Sequence, residues 1–156
     1  MHVDEQQILS LSRQLWNDQL GLNIDSGHAV TNHDPDEKTW ASCINISGAW
    51  HGALVLECPE SIVRHAAAML FSADGEEASN EDIQDALKEL AAMIGKRMRP
   101  ILPEATKLSR PSIVAEADRA DALHSLAELT DLHLSCEGRP IRIALLKKEE
   151  ETSASA

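Results

Sequence analysis

Between residues 79 and 101 the apolar positions recur at steps of four and three, through Ile83, Leu87, Leu90, Ile94, Met98 and Ile101. At about 100° per residue they form one buried stripe on a long helix. Ser79 suits the N-cap, with Asp82 three residues on as a short-armed capping box. The other side of the helix gathers Asp85, Glu89, Ala92, Lys96 and Arg99. Glu89 and Ala92 are neighbours one turn apart on this outward face. Residues 3–20 repeat the helical pattern with Ile8, Leu11, Leu15 and Leu20, and Gly21 and Asn23 supply the turn behind it.

Elsewhere the period shortens to two. Ile24 to about Val30 reads as a strand, followed by a polar turn over Thr31–Lys38. Over residues 39–47, Trp40, Ser42, Ile44 and Ile46 alternate with Ala41, Cys43, Asn45 and Ser47, which predicts a half-buried strand. Gly48 and Gly52 bracket a hairpin into the strand Ala53–Glu57, and Pro59 opens a helix to about Phe71. Within that helix the run Ala66-Ala67-Ala68-Met69 predicts close helix packing. After Pro100 and Pro103 comes a strand at Ser112–Glu116, and Asp118–Ala127 fits neither period. Leu129–Ser135 and Ile141–Leu146 close the chain as a hairpin turning at Glu137-Gly138-Arg139. Ile141–Leu146 reads as an apolar edge strand in need of cover. The expected fold is α+β, with helices packed on a largely antiparallel sheet, in one domain over residues 1–147. Residues 148–156 read as a flexible acidic tail.

Composition narrows the chemistry. The net charge of −12 excludes nucleic acid and anionic membrane surfaces as partners, since both demand basic patches. No apolar run is long enough to span a bilayer. Three widely spaced cysteines without a CxxC pair point to a reducing, cytoplasmic setting in which they pack as small hydrophobes. Among the seven histidines, His28 and His33 lie with Asp34 near one turn and His51 in another, but no metal-ligand spacing appears and no metal is expected. There is no GxSxG elbow and no glycine-rich phosphate loop. Trp16, Trp40 and Trp50 read as core or interface anchors, because their surroundings are acidic.

Asp85-x3-Glu89-x2-Ala92, followed by Met93-Ile94-Gly95, resembles the motif helix of the CheC/CheX family of chemotaxis phosphatases, which reads D/S-x3-E-x2-N. Leu102-Pro103 and Leu108-Ser109-Arg110-Pro111-Ser112-Ile113-Val114 resemble that family's downstream segment, and Ile46–Pro59 is similar to its strand–turn–strand. A single motif helix at this length looks more like CheX than CheC. The resemblance implies that Glu89 pairs with the lysine beside the phosphorylated aspartate of a CheY-like receiver domain. Asp85 matches the first acidic position, and Ala92 stands where the family's Asn orients the attacking water. Phosphoryl transfer relies on positioning and charge stabilisation, and a methyl group cannot hold a water. The implied function is a chemotaxis or two-component signalling protein that engages response-regulator receivers as a weak or inactive phosphatase. No cofactor of its own is implied, the Mg²⁺ belonging to the receiver.

Lys88, Lys96, Arg97 and Arg99 are the only basic concentration near the motif, and Lys88, Lys96 and Arg99 are the expected partner-binding cations. In the first helix, Ser10-x3-Gln14-x2-Asn17 copies the motif spacing with the Asn kept and Gln in place of Glu. Asn17 is therefore a candidate for an alternative active site, though Gln cannot form the salt bridge. The resemblance also implies a homodimer joined at sheet edges. The alternative from another class is a structural homodimer module that has lost receiver binding.

Overall fold

The computed structural model describes residues 4–26, 36–71, 78–115 and 126–148. The 79–101 pattern forms α3 (Asn80–Met98), which runs on into a 3-10 turn at Arg99–Ile101. Its start is the expected capping box. The Ser79 hydroxyl accepts from the Asp82 amide, and the Asp82 carboxylate accepts from the Ser79 amide, both at 3.1 Å. Ile83, Leu87, Leu90, Ile94 and Met98 are all fully buried, and Ile101 is half-buried. The first helix is α1 (Glu5–Leu20), N-capped by Asp4 and closed by Gly21 at φ 64°. Between them in the chain lies α2 (Glu60–Phe71). Its Ala66 and Ala67 give the expected close packing, but Met69 is 52% exposed because it falls on the outward side of the last turn.

The strands are β1 (Ile24–Ser26), β2 (Thr39–Gly48), β3 (Gly52–Pro59), β4 (Thr106–Leu108), β5 (Ser112–Val114), β6 (Leu126–Cys136) and β7 (Arg139–Lys148). They form one antiparallel sheet in the order β1-β6-β7-β3-β2-β4, with β5 also on β2. The chain is thus α+β as expected. β4 and β5 run along successive parts of β2. At the corner between them Ser109 donates its amide to the Asn45 carbonyl, and its hydroxyl accepts the Asn45 amide, both at 2.9 Å. The closing hairpin turns through Glu137 (φ 50°) and Gly138 (φ 82°), a two-residue turn that matches strand twist.

Three expectations change. Ile141–Leu146 is not an edge: β7 lies inside the sheet, paired with β6 on one side and β3 on the other. Its apolar residues are covered by neighbours on both flanks. Pairing also carries β7 through Lys148, one residue into the expected tail, and residues 149–156 lie outside the described residues. β2 is buried on both faces rather than one. Ile44 and Ile46 join the helix-side core, whereas Cys43 joins Ala53, Val55, Ala144 and Leu146 in a second apolar cluster across the sheet. β4 had no counterpart in the sequence pattern, being three residues long. Of the strand expected from Ile24 to Val30, residues 27–30 lie outside the described residues, as do most of Thr31–Lys38, Glu116 and residues 118–125.

Candidate functional site

α3 is anchored by its buried stripe and by a close approach at Gly95. A Cβ there would sit 3.2 Å from Ile44 Cδ1 and 3.4 Å from Leu108 Cδ1, so glycine lets the helix settle onto β2 and β4. This seating fixes which side of α3 looks outward. Asp85, Glu89, Lys96 and Arg99 are exposed and Ala92 is half-buried, so the expected polar face is present.

Within that face the charges are not equivalent. Lys88 Nζ lies 3.6 Å from Asp85 Oδ1, an i,i+3 pair within the helix. Lys88 therefore has a partner of its own, whereas the Lys96 and Arg99 side chains make no ion pair or hydrogen bond among the described residues. Glu89 forms no hydrogen bond or ion pair among the described residues. An exposed carboxylate in that state remains hydrated and can exchange water for an incoming cation at low cost. Beside it the Ala92 methyl offers neither donor nor acceptor, so nothing at that position can hold a water.

Asn17 is exposed on α1 but does not join this face. It lines a cavity of about 590 Å³ whose other walls are Ser10, Arg13, Gln14, Asn23, Ile24 and Asp25, all from α1, β1 or the turn between them. Arg13 Nε donates to the Ile24 carbonyl at 3.0 Å on that side. A second cavity of about 450 Å³, on the other flank of α1, brings Gln6, Gln7, Ser10, Leu11 and Gln14 against Arg97 and Ile101. The sequence pattern gives Arg97 no place apart from the neighbouring cations. Its position between α1 and α3 depends on helix pairing that one-dimensional spacing does not carry.

The tryptophans, cysteines and histidines also find places. Trp16, Trp40 and Trp50 are buried, Trp40 donating its indole N–H to Glu60 at 3.2 Å. Cys43, Cys58 and Cys136 are buried free thiols. Burial pushes Cys58 well up, and burial with the Glu137 carboxylate pushes Cys136 up to about 12. His51 is exposed, His65 Nε2 lies 2.8 Å from the Leu20 carbonyl, and His28 and His33 lie outside the described residues. Among the described residues no three His, Cys, Asp or Glu side chains gather around a metal position. No described helix is long and apolar enough to cross a membrane.

No curated protein sequence matches the chain. Several solved structures share its fold. The chemotaxis protein CheX of Vibrio vulnificus superposes with a TM-score of 0.66 at 12% identity, over 91% of this chain and 94% of that one. A CheC-like superfamily protein from Shewanella gives 0.64 at 12% identity, over 96% and 100%. CheX of Borrelia burgdorferi, crystallised with CheY, BeF3 and Mg²⁺, gives 0.62 at 10% identity, over 92% and 97%. At these identities the likeness establishes the fold alone. The family model for the chemotaxis phosphatase CheX matches residues 40–130, a span that takes in the β2–β3 hairpin, α2 and all of α3. The chain therefore belongs to the CheX family of chemotaxis phosphatases.

Proposed function

We propose that this chain docks phosphorylated CheY-like receiver domains on the outward face of α3 and hydrolyses their aspartyl phosphate weakly or not at all. The observation that carries the proposal is Glu89, exposed on that face and without an internal partner among the described residues. An ammonium beside the receiver's phosphoryl group is the chemistry it would meet. The structural similarity to a CheX crystallised with CheY supports the same reading. Ala92 limits the chemistry: without an amide, the attacking water is not oriented, a loss on the order of 10²–10³ in rate by analogy with removing one positioned donor. The Mg²⁺ of such a complex would belong to the receiver.

The test is phosphate release from a receiver charged with a small acyl phosphate. The unmodified chain is expected to stay near the receiver's own rate and Ala92→Asn to exceed it. Full phosphatase activity in the unmodified chain would overturn the proposal. If that activity vanished in Asn17→Ala, the site would be the α1 cavity, which Asn17 lines.

The setting proposed is cytoplasmic two-component signalling, with the chain as a homodimer joined through sheet edges. Since β7 is internal, those edges would be the β1–β6 side or the β4–β5 side. A monomer mass by light scattering would remove the dimer from the proposal.

A further inference from the structure

The described residues include four half-buried arginines. Three hold a carboxylate: Arg64 with Glu60 at 3.5 Å, Arg139 with Glu37 at 3.2 Å and Arg142 with Asp131 at 2.7 Å. The fourth, Arg97, makes no ion pair and no hydrogen bond among the described residues. In a chain with 26 acidic side chains and only 14 lysines and arginines, such an arginine is an exception. Removing part of a guanidinium's hydration without an anion is a cost that the fold meets elsewhere with a carboxylate.

Its surroundings are built from donors. Arg97 shares the groove of about 450 Å³ with Ser10 and Gln14 of α1, while Leu11 and Ile101 supply apolar wall. The apolar residues can support the arginine stem, leaving the guanidinium fork at the mouth. Hydroxyl and amide groups can complete the coordination of an oxyanion that the fork engages through two parallel bonds.

We propose that this groove receives a surface carboxylate of the docked receiver, as a second contact that fixes how the partner lies along α3. The inference rests on the reading of Glu89 as the first contact. Arg97 follows Glu89 by eight residues, about 12 Å along the helix axis. A standard interface covers about 800 Å² on each partner, so a protein seated over Glu89 spans that distance. The two sites are opposite in charge. Glu89 selects a cation and Arg97 an anion, so only a partner presenting both in that order fits. Reversing the partner along the helix would set like charges together. Arg97 is thus a specificity-determining residue.

The experiment measures Kd by calorimetry for a CheY-type receiver loaded with beryllofluoride and Mg²⁺, using the intact chain and its variants. Arg97→Met keeps stem length and helix propensity. It is expected to weaken binding about tenfold, with a shallower dependence on salt, while Arg97→Lys recovers part of the loss. Lys107→Met removes an exposed cation on β4 and should leave Kd unchanged.

Unchanged Kd in Arg97→Met, alongside lost binding in Glu89→Ala, would overturn the second contact and leave the docking proposal standing. Equal losses in Arg97→Met and Lys107→Met would reduce the effect to net charge and overturn it as well. Saturable binding of inorganic phosphate or acetate to the chain alone, lost in Arg97→Met, would make the groove a small-anion site instead. If no loaded receiver binds the unmodified chain, both proposals fall together.

Discussion

Lys88 reaches back to Asp85, Nζ to Oδ1 at 3.6 Å, so these two charges of α3 satisfy each other. Glu89, the next residue along, is outside that pair. The separation has a direct consequence. Glu89→Ala removes no hydrogen bond or ion pair among the described residues and should change folding stability by no more than about 0.5 kcal/mol. Binding to a beryllofluoride-loaded receiver should be lost in the same variant. Thermal unfolding and calorimetry on one preparation measure both. A large drop in melting temperature would show that Glu89 serves the fold.

On the far side of the sheet, Arg142 binds Asp131 through two bonds, Nε to Oδ1 at 2.7 Å and a terminal nitrogen to Oδ2 at 3.0 Å. Glu57 lies 3.6 Å from the same guanidinium. Both Asp131 and Arg142 side chains are mostly shielded, at 15% and 22% exposure. Asp131→Ala should therefore cost about 1–3 kcal/mol, more than an exposed pair would. The urea midpoint should fall with an unchanged slope.

Gly52 opens β3 where no side chain fits. A Cβ there would lie 2.0 Å from the Leu146 carbonyl oxygen and 2.6 Å from a Trp50 ring carbon. The carbonyl belongs to the β7 backbone and cannot move aside without breaking the β3–β7 ladder. Gly52→Ala should destabilise by about 1–3 kcal/mol or more, again read from the urea midpoint. Wild-type stability would show that the hairpin shifts freely.

The buried thiols predict a pH dependence. Cys136 is raised from 9.0 to about 12 and Cys58 is also raised, so both remain protonated in the folded chain where the unfolded chain ionises. Above pH 9 the unfolded state thus binds fewer protons than the native one. The contribution of these thiols is present below pH 9 and declines as the pH rises from there, for Cys136 until about 12, by up to about 1.4 kcal/mol per pH unit for each. Unfolding midpoints measured from pH 8 to 11 should fall, and Cys136→Ala should flatten the fall. A thiol reagent at pH 8 should react with Cys58 and Cys136 only after denaturant is added.

How legible the chain was follows the range of each interaction. α3, its capping box and its outward face depend on residues three and four apart, and all were readable from Ser79, Asp82 and the Ile83–Met98 stripe. The closing turn was equally local, since Glu137-Gly138 bends the chain by its own dihedral angles. β7 was misplaced for the opposite reason. Whether an apolar strand is an edge depends on what pairs with it, and β3, one of its neighbours, lies about ninety residues earlier in the chain. β2 was half-read because alternation shows one buried face, while Cys43, Val55 and Ala144 bury the other only by meeting across three strands.

The candidate site divides in the same way. By itself the sequence determined that Glu89 faces outward and that the Ala92 side chain offers no donor or acceptor, because helix periodicity sets the first and side-chain chemistry the second. Only the tertiary structure decided that Lys88 turns to Asp85, that Asn17 lines a separate cavity, and that Arg97 stands between two helices without a carboxylate among the described residues. Those are questions of which surfaces meet when α1 packs beside α3, and no spacing along one chain encodes the answer.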